Sequence, residues 1–223
     1  MSILTRLAVP LGFAAFVLSS LLISAPVYAD SDQEPPTASS GEVVERDVPA
    51  LRNKIYRQLS KAQDDLDKKK LDKAEKRLNK LLARDDLNKY ELANVYFTLQ
   101  FLYYSKKDYP ASIKWNEKVV EQSPSIPLKF EMRTLYTLGQ INLLIENWTA
   151  SLSAFERYLE LTDDPNPNIH RLLAEAYWRT DQLEKGRPYF ERHLQLLEEY
   201  EKEPNERGLE IIAAYEAVAA PSK

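Results

Sequence analysis

The sequence predicts an all-α protein: a right-handed solenoid of about four helix hairpins, closed by a C-terminal capping helix. Three observations lead there. Residues 135–165, LYTLGQINLLIENWTASLSAFERYLELTDDP, carry two amphipathic stripes joined by a short break. Leu135, Leu138, Gly139 and Asn142 fall at i, i+3, i+4 and i+7, and after Glu146-Asn147 come Trp148, Ser151, Phe155, Tyr158 and Leu159. The pattern recurs, because the bulky residues that open each second helix, Leu71, Tyr109, Trp148 and Leu183, are spaced by 38, 39 and 35 residues. Small residues also fall where two helices of a hairpin would cross. They are Ala74, Ser112, Ser151 and Gly186 in the second helices and Ala62, Gly139 and Ala174 in the first, with Gln100 the large exception.

Taken in order, residues 1–29 hold one cation, Arg6, an apolar run from Leu7 to Ile23, and the ending Val27-Tyr28-Ala29. This reads as a secretory signal peptide, and the expected location is the periplasm. The alternative is an uncleaved inner-membrane anchor, since the run approaches the roughly 17 residues needed to span. Pro10, Gly12, Ser19, Ser20 and Ser24 interrupt it, and the small residues before Asp30 favour cleavage. The chain has no cysteine, which excludes disulfides, thiolate catalysis, zinc-thiolate sites and a bacterial lipid anchor at the cleavage point.

Residues 30–48, DSDQEPPTASSGEVVERDV, have too few apolar groups to offset the entropy of ordering and read as a flexible leader. Residues 49–200 form the repeat domain. Its first hairpin is the weakest copy, with Lys61 and Asp65 polar. Its dense charges read as a solvated outer face. A pI of 5.4 and a net charge of −4 disfavour nucleic acid. The extra length of the long periods falls in the connectors at 85–89 and 123–129, where Pro124 and Pro127 forbid a continuous helix. Residues 201–223 form the cap and tail, with Leu209, Ile212, Ala213 and Tyr215-Glu216 outlining the packed face. A cap is the usual remedy for the bare apolar face of a last repeat; the alternative is a detachable partner-binding helix.

Little in the chain points to catalysis. Its two histidines, His170 and His193, have no carboxylate three or four positions away, so a helical metal site is not indicated. The glycines after residue 29, Gly41, Gly139, Gly186 and Gly208, are scattered and build no phosphate loop. The paired acids Asp64-Asp65, Asp85-Asp86 and Asp163-Asp164 read as turn and solvent-face residues. The Asn147-Trp148-Thr149 sequon reads as chance, since Trp148 is a predicted core residue. No metal, cofactor or enzymatic activity is expected.

The alternation of small and bulky residues resembles the tetratricopeptide repeat over roughly residues 50 to 199, best in the third and fourth copies; the family period is about 34 residues. The first helix of the second copy, NVYFTLQFLYY, is apolar nearly all the way round. Tyr96, Leu99 and Tyr103 supply its core stripe, and Phe97, Phe101 and Tyr104 form a second, exposed one. In proteins of this kind that stripe faces the concave groove. The resemblance therefore implies a partner-binding groove of Phe97, Phe101 and Tyr104, then Arg133, Tyr136, Gln140 and Leu143, then Arg171, Glu175, Trp178 and Arg179. Aromatic rings with arginine are the composition of binding hot spots.

RNKIYRQLSKAQ and LGQINLLIENWTASLSAFERYLEL also resemble the periplasmic tetratricopeptide proteins found with TonB-ExbB-ExbD energy-transducing systems. That resemblance implies a non-enzymatic scaffold accessory to TonB-driven uptake. An assembly factor for envelope proteins and an enzyme on a helical-repeat scaffold are the alternatives.

Overall fold

The computed structural model describes residues 46–162 and 167–219, all within one compact unit that begins at Val44. The expected signal peptide and nearly all of the expected leader lie outside the described residues. Among those described, every regular element is a helix: α1 Asn53–Asp67, α2 Leu71–Leu82, α3 Lys89–Ser105, α4 Tyr109–Val120, α5 Leu128–Leu144, α6 Trp148–Glu160, α7 Pro167–Arg179, α8 Leu183–Glu199 and α9 Glu206–Ala219. They form four antiparallel hairpins and a final single helix. None of the described helices is long and apolar enough to cross a membrane.

The four second helices begin at Leu71, Tyr109, Trp148 and Leu183, the positions that the spacing indicates. The reason is a common turn. Two residues before each start the backbone goes left-handed, at Lys69, Lys107, Glu146 and Asp181, with φ between 56° and 61°. The following amide then reaches back to the carbonyl five residues earlier: Lys70 to Asp65 at 2.7 Å, Asp108 to Tyr103 at 2.9 Å, Asn147 to Asn142 at 2.8 Å and Gln182 to Tyr177 at 2.9 Å. This closes each first helix as a Schellman motif. Glycine usually fills the left-handed position because it lacks the Cβ that clashes there; here no turn uses it.

The crossing residues are buried in all four hairpins, and in the second, third and fourth a further bond is made there. In the second hairpin Ser112 donates its hydroxyl to the Gln100 carbonyl at 3.1 Å. In the third Ser151 donates to the Gly139 carbonyl at 3.0 Å. Gly139 leaves space for the Phe155 ring, two of whose carbons would lie 2.6 Å from an added Cβ. The large Gln100 is accommodated by polar neighbours, with its amide 3.4 Å from the Ser112 hydroxyl. Asn116 takes the place that Phe155 holds in the next hairpin, and both its amide atoms are buried without a partner among the described residues.

In the fourth hairpin Gly186 has no hydroxyl to give. The bond comes instead from α9, where Tyr215 donates to the Ala174 carbonyl at 2.9 Å. An added Cβ at Gly186 would collide with that tyrosine oxygen and lie 2.7 Å from Tyr177 Cβ. Tyr215 also stacks on Phe190, with centroids 4.6 Å apart and planes 7° from parallel. The last helix therefore packs as a cap, on Ile211 and Tyr215. This corrects the expected register: Leu209 is 55% exposed and Ala213 is exposed, because the helix is oriented by Tyr215 reaching its carbonyl.

Each second helix also packs on the first helix of the next hairpin, α2 on α3, α4 on α5 and α6 on α7, so apolar clusters run between hairpins as well as within them. Buried carboxylates pin the stack. Asp65 is not a solvent-face residue but is buried in the first hairpin, ion-paired to Arg77 at 2.6 Å and Lys73 at 3.1 Å. This explains how a polar residue occupies a packing position. Arg52 closes on Glu91 through its backbone amide and its guanidinium, at 2.6 to 3.0 Å, while Glu91 also completes the capping box of α3 with Asn88. Glu131 accepts from Arg46 at 2.6 Å, Ser123 at 2.8 Å and Arg157 at 2.5 Å. Arg46, assigned by composition to the leader, is thus held against the third hairpin.

Three outcomes follow from these contacts. Lys107→Gly and Glu146→Gly should each raise unfolding free energy by roughly 0.5 to 1 kcal/mol, the relief of a left-handed residue less the entropy of glycine. Asp181→Gly should change it less, since aspartate tolerates that conformation; denaturant melts check this.

Gly186→Ala should cost about 1 to 3 kcal/mol by overpacking, and Tyr215→Phe about 1 kcal/mol by loss of one hydrogen bond. Protection of the α9 amides from hydrogen exchange should fall most.

Burial alone would raise Glu131 and Glu91, but Ser123 and Arg46 at the first and Arg52 at the second outweigh it and hold both below the usual carboxylate range. Arg77 likewise lowers Asp65. A depressed folded value means stability that is full above the unfolded value of about 4 and lost as pH falls through the folded one. The melting temperature should therefore hold steady from pH 7 to about 5 and decline below that, with Glu131→Gln flattening part of the decline.

Candidate partner-binding groove

The groove positions come from the first helices α3, α5 and α7, where the first stripe of each is committed to its hairpin. The structure divides the expected residues into three groups. Phe97 and Arg133 meet across the second and third hairpins, with the Arg133 guanidinium carbon 4.5 Å from the Phe97 centroid. Phe130, one turn before Arg133 on α5, adds a second ring at 5.2 Å and packs edge-on against Phe97 at 5.2 Å. Tyr136 lies on Phe155 and Tyr158, centroids 5.9 and 5.8 Å away, and is among the groups acting on the charge of Arg171. Trp178 and Arg179 form the third group, the guanidinium 4.2 Å from the Trp178 centroid and 5.8 Å from that of Trp148.

Phe101, Tyr104 and Gln140 stand apart from these. Phe101 packs on the core of the first hairpin, Tyr104 lies against Tyr109 at 5.6 Å, and Gln140 is half-buried on α5. The second stripe of α3 is half-buried throughout, which corrects the expectation of an exposed aromatic patch. Neighbouring hairpins cover the rings from one side. Leu143 is half-buried and Glu175 buried, the latter engaged by Arg171 at 3.2 Å and by Arg207 of α9.

The arginines differ in their partners. Arg46, Arg52, Arg77, Arg157 and Arg207 each hold a buried carboxylate. Arg133 and Arg179 make no ion pair among the described residues and rest on rings instead. Arg133 is exposed as a residue, and although desolvation of its guanidinium beside the rings lowers its pKa, an arginine remains charged throughout the working range. With no ion pair of their own among the described residues, these guanidiniums keep N–H donors that suit a carboxylate while the rings hold them by cation–π attraction. Phe130 and Trp148 had not been assigned to the groove. The signal for Phe130 was its i, i+3 spacing to Arg133; for Trp148 only the stacking of hairpins places it by Arg179.

Among the described residues no group of three or more histidine, cysteine, aspartate or glutamate side chains is arranged to hold a metal ion. His193 is buried, with Nδ1 3.0 Å from the Pro167 carbonyl; His170 lies over the Tyr189 ring at 6.4 Å.

Hairpins turning on one motif, crossing at small residues and stacking second helix to first helix define the architecture. The fold is a tetratricopeptide-like repeat. Solved structures agree. The chain is similar to a Podosopora anserina putative kinesin light chain with nearly identical TPR-like repeats, at a TM-score of 0.56 and 13% identity over 74% of this chain and 87% of that one. It is similar to MamA 41-end from Desulfovibrio magneticus RS-1, at 0.52 and 16% over 76% and 96%. A further MamA crystal structure gives 0.53 and 16% over 66% and 81%. No family model and no curated protein sequence matches the chain. The tetratricopeptide-like fold is thus carried by backbone architecture at low sequence identity.

Proposed function

We propose that the protein is a non-enzymatic protein-interaction scaffold whose first-helix face takes an acidic, partly apolar segment of a partner protein. The observation that carries this reading is the pair of ring-held arginines, Arg133 and Arg179, without carboxylates of their own among the described residues. Arg133 lies near the start of α5 and Arg179 at the end of α7, so a segment reaching both would run along the helix face past Tyr136 and Trp178. Carboxylates on the two guanidiniums orient the segment, and apolar side chains against Phe97, Tyr136 and Trp178 supply most of the energy. The similar solved structures support the fold on which this reading rests.

The proposal extends to an exported protein acting in the periplasm as an accessory of a TonB-ExbB-ExbD system. What supports it is the signal-like N-terminus, the lack of cysteine and the resemblance of RNKIYRQLSKAQ and LGQINLLIENWTASLSAFERYLEL to tetratricopeptide proteins of such systems. Envelope fractionation and N-terminal mass spectrometry should find a mature chain starting at Asp30 in the periplasmic fraction.

Purified periplasmic segments of TonB and ExbD, titrated against the protein, test the groove. Arg133→Glu with Arg179→Glu should weaken binding by about 30-fold or more, the equivalent of roughly 2 kcal/mol, with the melting temperature nearly unchanged. Equal affinity in the folded double variant would remove the groove as the binding site; failure of both segments to bind the parent would remove the TonB assignment and leave the scaffold to be tested with crosslinked envelope partners.

A further inference from the structure

Charge is distributed unevenly along this molecule. The first hairpin, from Asn53 to Leu82, carries ten lysine and arginine residues against five acids, a net of +5 in a chain whose total is −4, so the rest of the chain stands at −9. Ion pairs use few of these cations. Arg77 and Lys73 hold the buried Asp65, while Glu75 and Asp72 are met by Lys106 of α3, at 2.6 and 4.0 Å. Asp64 and Asp67 are the acids left outside these pairs. Lys54, Arg57 and Lys61 of α1 and Lys76 and Lys80 of α2 are all exposed, and none makes an ion pair among the described residues. The same is true of the turn, Lys68, Lys69 and Lys70.

Helix geometry gathers these cations on one surface. On α1, Lys54, Arg57 and Lys61 fall at i, i+3 and i+7, and on α2, Lys73, Lys76, Arg77 and Lys80 fall at i, i+3, i+4 and i+7. Asp65, one turn beyond Lys61, receives Lys73 and Arg77 across the hairpin. The two stripes therefore border each other. Glu75 lies two residues from both Lys73 and Arg77, on the opposite side of α2, and it is Glu75 that Tyr103 and Lys106 of α3 reach, at 2.7 and 2.6 Å. The basic surface thus faces away from the second hairpin, at the open end of the stack, with the turn lysines at its edge.

We propose that this open end docks on an anionic lipid surface. Each cation brought near such a surface tightens binding by about 5-fold, so part of the set suffices for reversible attachment. All but Arg57 of the unpaired cations are lysine. A compact ammonium on a flexible stem suits a fluid array of headgroups, whereas fixed bidentate acceptors favour arginine. The stripes hold no aromatic side chain of the kind that stacks on single-stranded bases. The following hairpins begin about 10 Å behind the surface, beyond the screening length of about 8 Å at physiological salt, so their net negative charge is largely hidden from the membrane. A nucleic acid duplex would offer similar charge, and the choice of lipid rests on the export reading given above.

Flotation with vesicles tests this, using the chain from Asp30, which keeps the whole compact unit that begins at Val44. Vesicles of phosphatidylcholine with about one-third phosphatidylglycerol should bind the protein about 10-fold or more tightly than phosphatidylcholine alone, and about 0.5 M salt should release it. Lys54→Glu with Lys61→Glu and Lys80→Glu should weaken attachment by about 30-fold or more, with the melting temperature retained. The matched control is Lys114→Glu with Lys129→Glu and Lys185→Glu, exposed on the other hairpins, which changes net charge equally and should bind like the parent. Equal loss in both triple variants means attraction to total charge and not to this face, and overturns the proposal. So does failure to float with the anionic vesicles, or duplex DNA bound more tightly than those vesicles through the same lysines. A chain that floats as expected but is recovered unprocessed and outside the periplasm sinks the export reading and leaves the docking face in place.

Discussion

The close crossing of two helices within each hairpin is the constraint on which the rest of the molecule depends. Backbones brought this near leave no room for a large side chain at the contact, and the buried carbonyl there has a second lone pair without solvent. Ser112 and Ser151 meet both demands in the second and third hairpins, small enough to permit the approach and hydroxylated so as to donate across it. The fourth hairpin separates them. Gly186 permits the approach, and Tyr215 of α9 crosses over it to make the bond to Ala174. The cap is therefore a component of the fourth hairpin as much as a cover for it, and the glycine that looks like a simple spacer is the passage through which the cap is attached.

Stacking imposes a second layer of organisation, and here charge matters more than shape. The N-terminal segment reaches two hairpins through Arg46 on Glu131 and Arg52 on Glu91. A carboxylate removed from water is tolerable only when several donors surround it, and both meet that condition. The same rule throws Arg133 and Arg179 into relief: they lean on rings contributed partly by a neighbouring hairpin, Phe97 for the first and Trp148 for the second. A solenoid brings such residues together across hairpins, so its recognition chemistry arises at the seams between repeats.

Much of this was legible in the sequence, for a physical reason that also marks the limit. The second-helix starts at Leu71, Tyr109, Trp148 and Leu183 could be read because helix periodicity and short turns are local. The polar Asp65 could be seen as anomalous but not resolved, since its partners Arg77 and Lys73 lie on the other helix of the hairpin. The stripe of Phe97, Phe101 and Tyr104 was visible as a pattern, and its exposure was overestimated because a helical wheel does not contain the next hairpin. In the cap, alternation over eleven residues left more than one face available, and Leu209 was placed inward when the face that packs is set by Ile211 and Tyr215.

By itself, then, the sequence determined an all-helical repeat, the positions of its turns and the residues at its crossings, because those depend on groups within about one or two helical turns of each other. Only the tertiary structure decided which arginines meet carboxylates and which meet rings, and how the cap turns to place Tyr215 over Gly186. Arg46 and Glu131 are 85 residues apart in the chain, Arg133 and Phe97 36, and Tyr215 and Gly186 29, and such pairings are chosen by the packing of whole hairpins, which local periodicity does not encode.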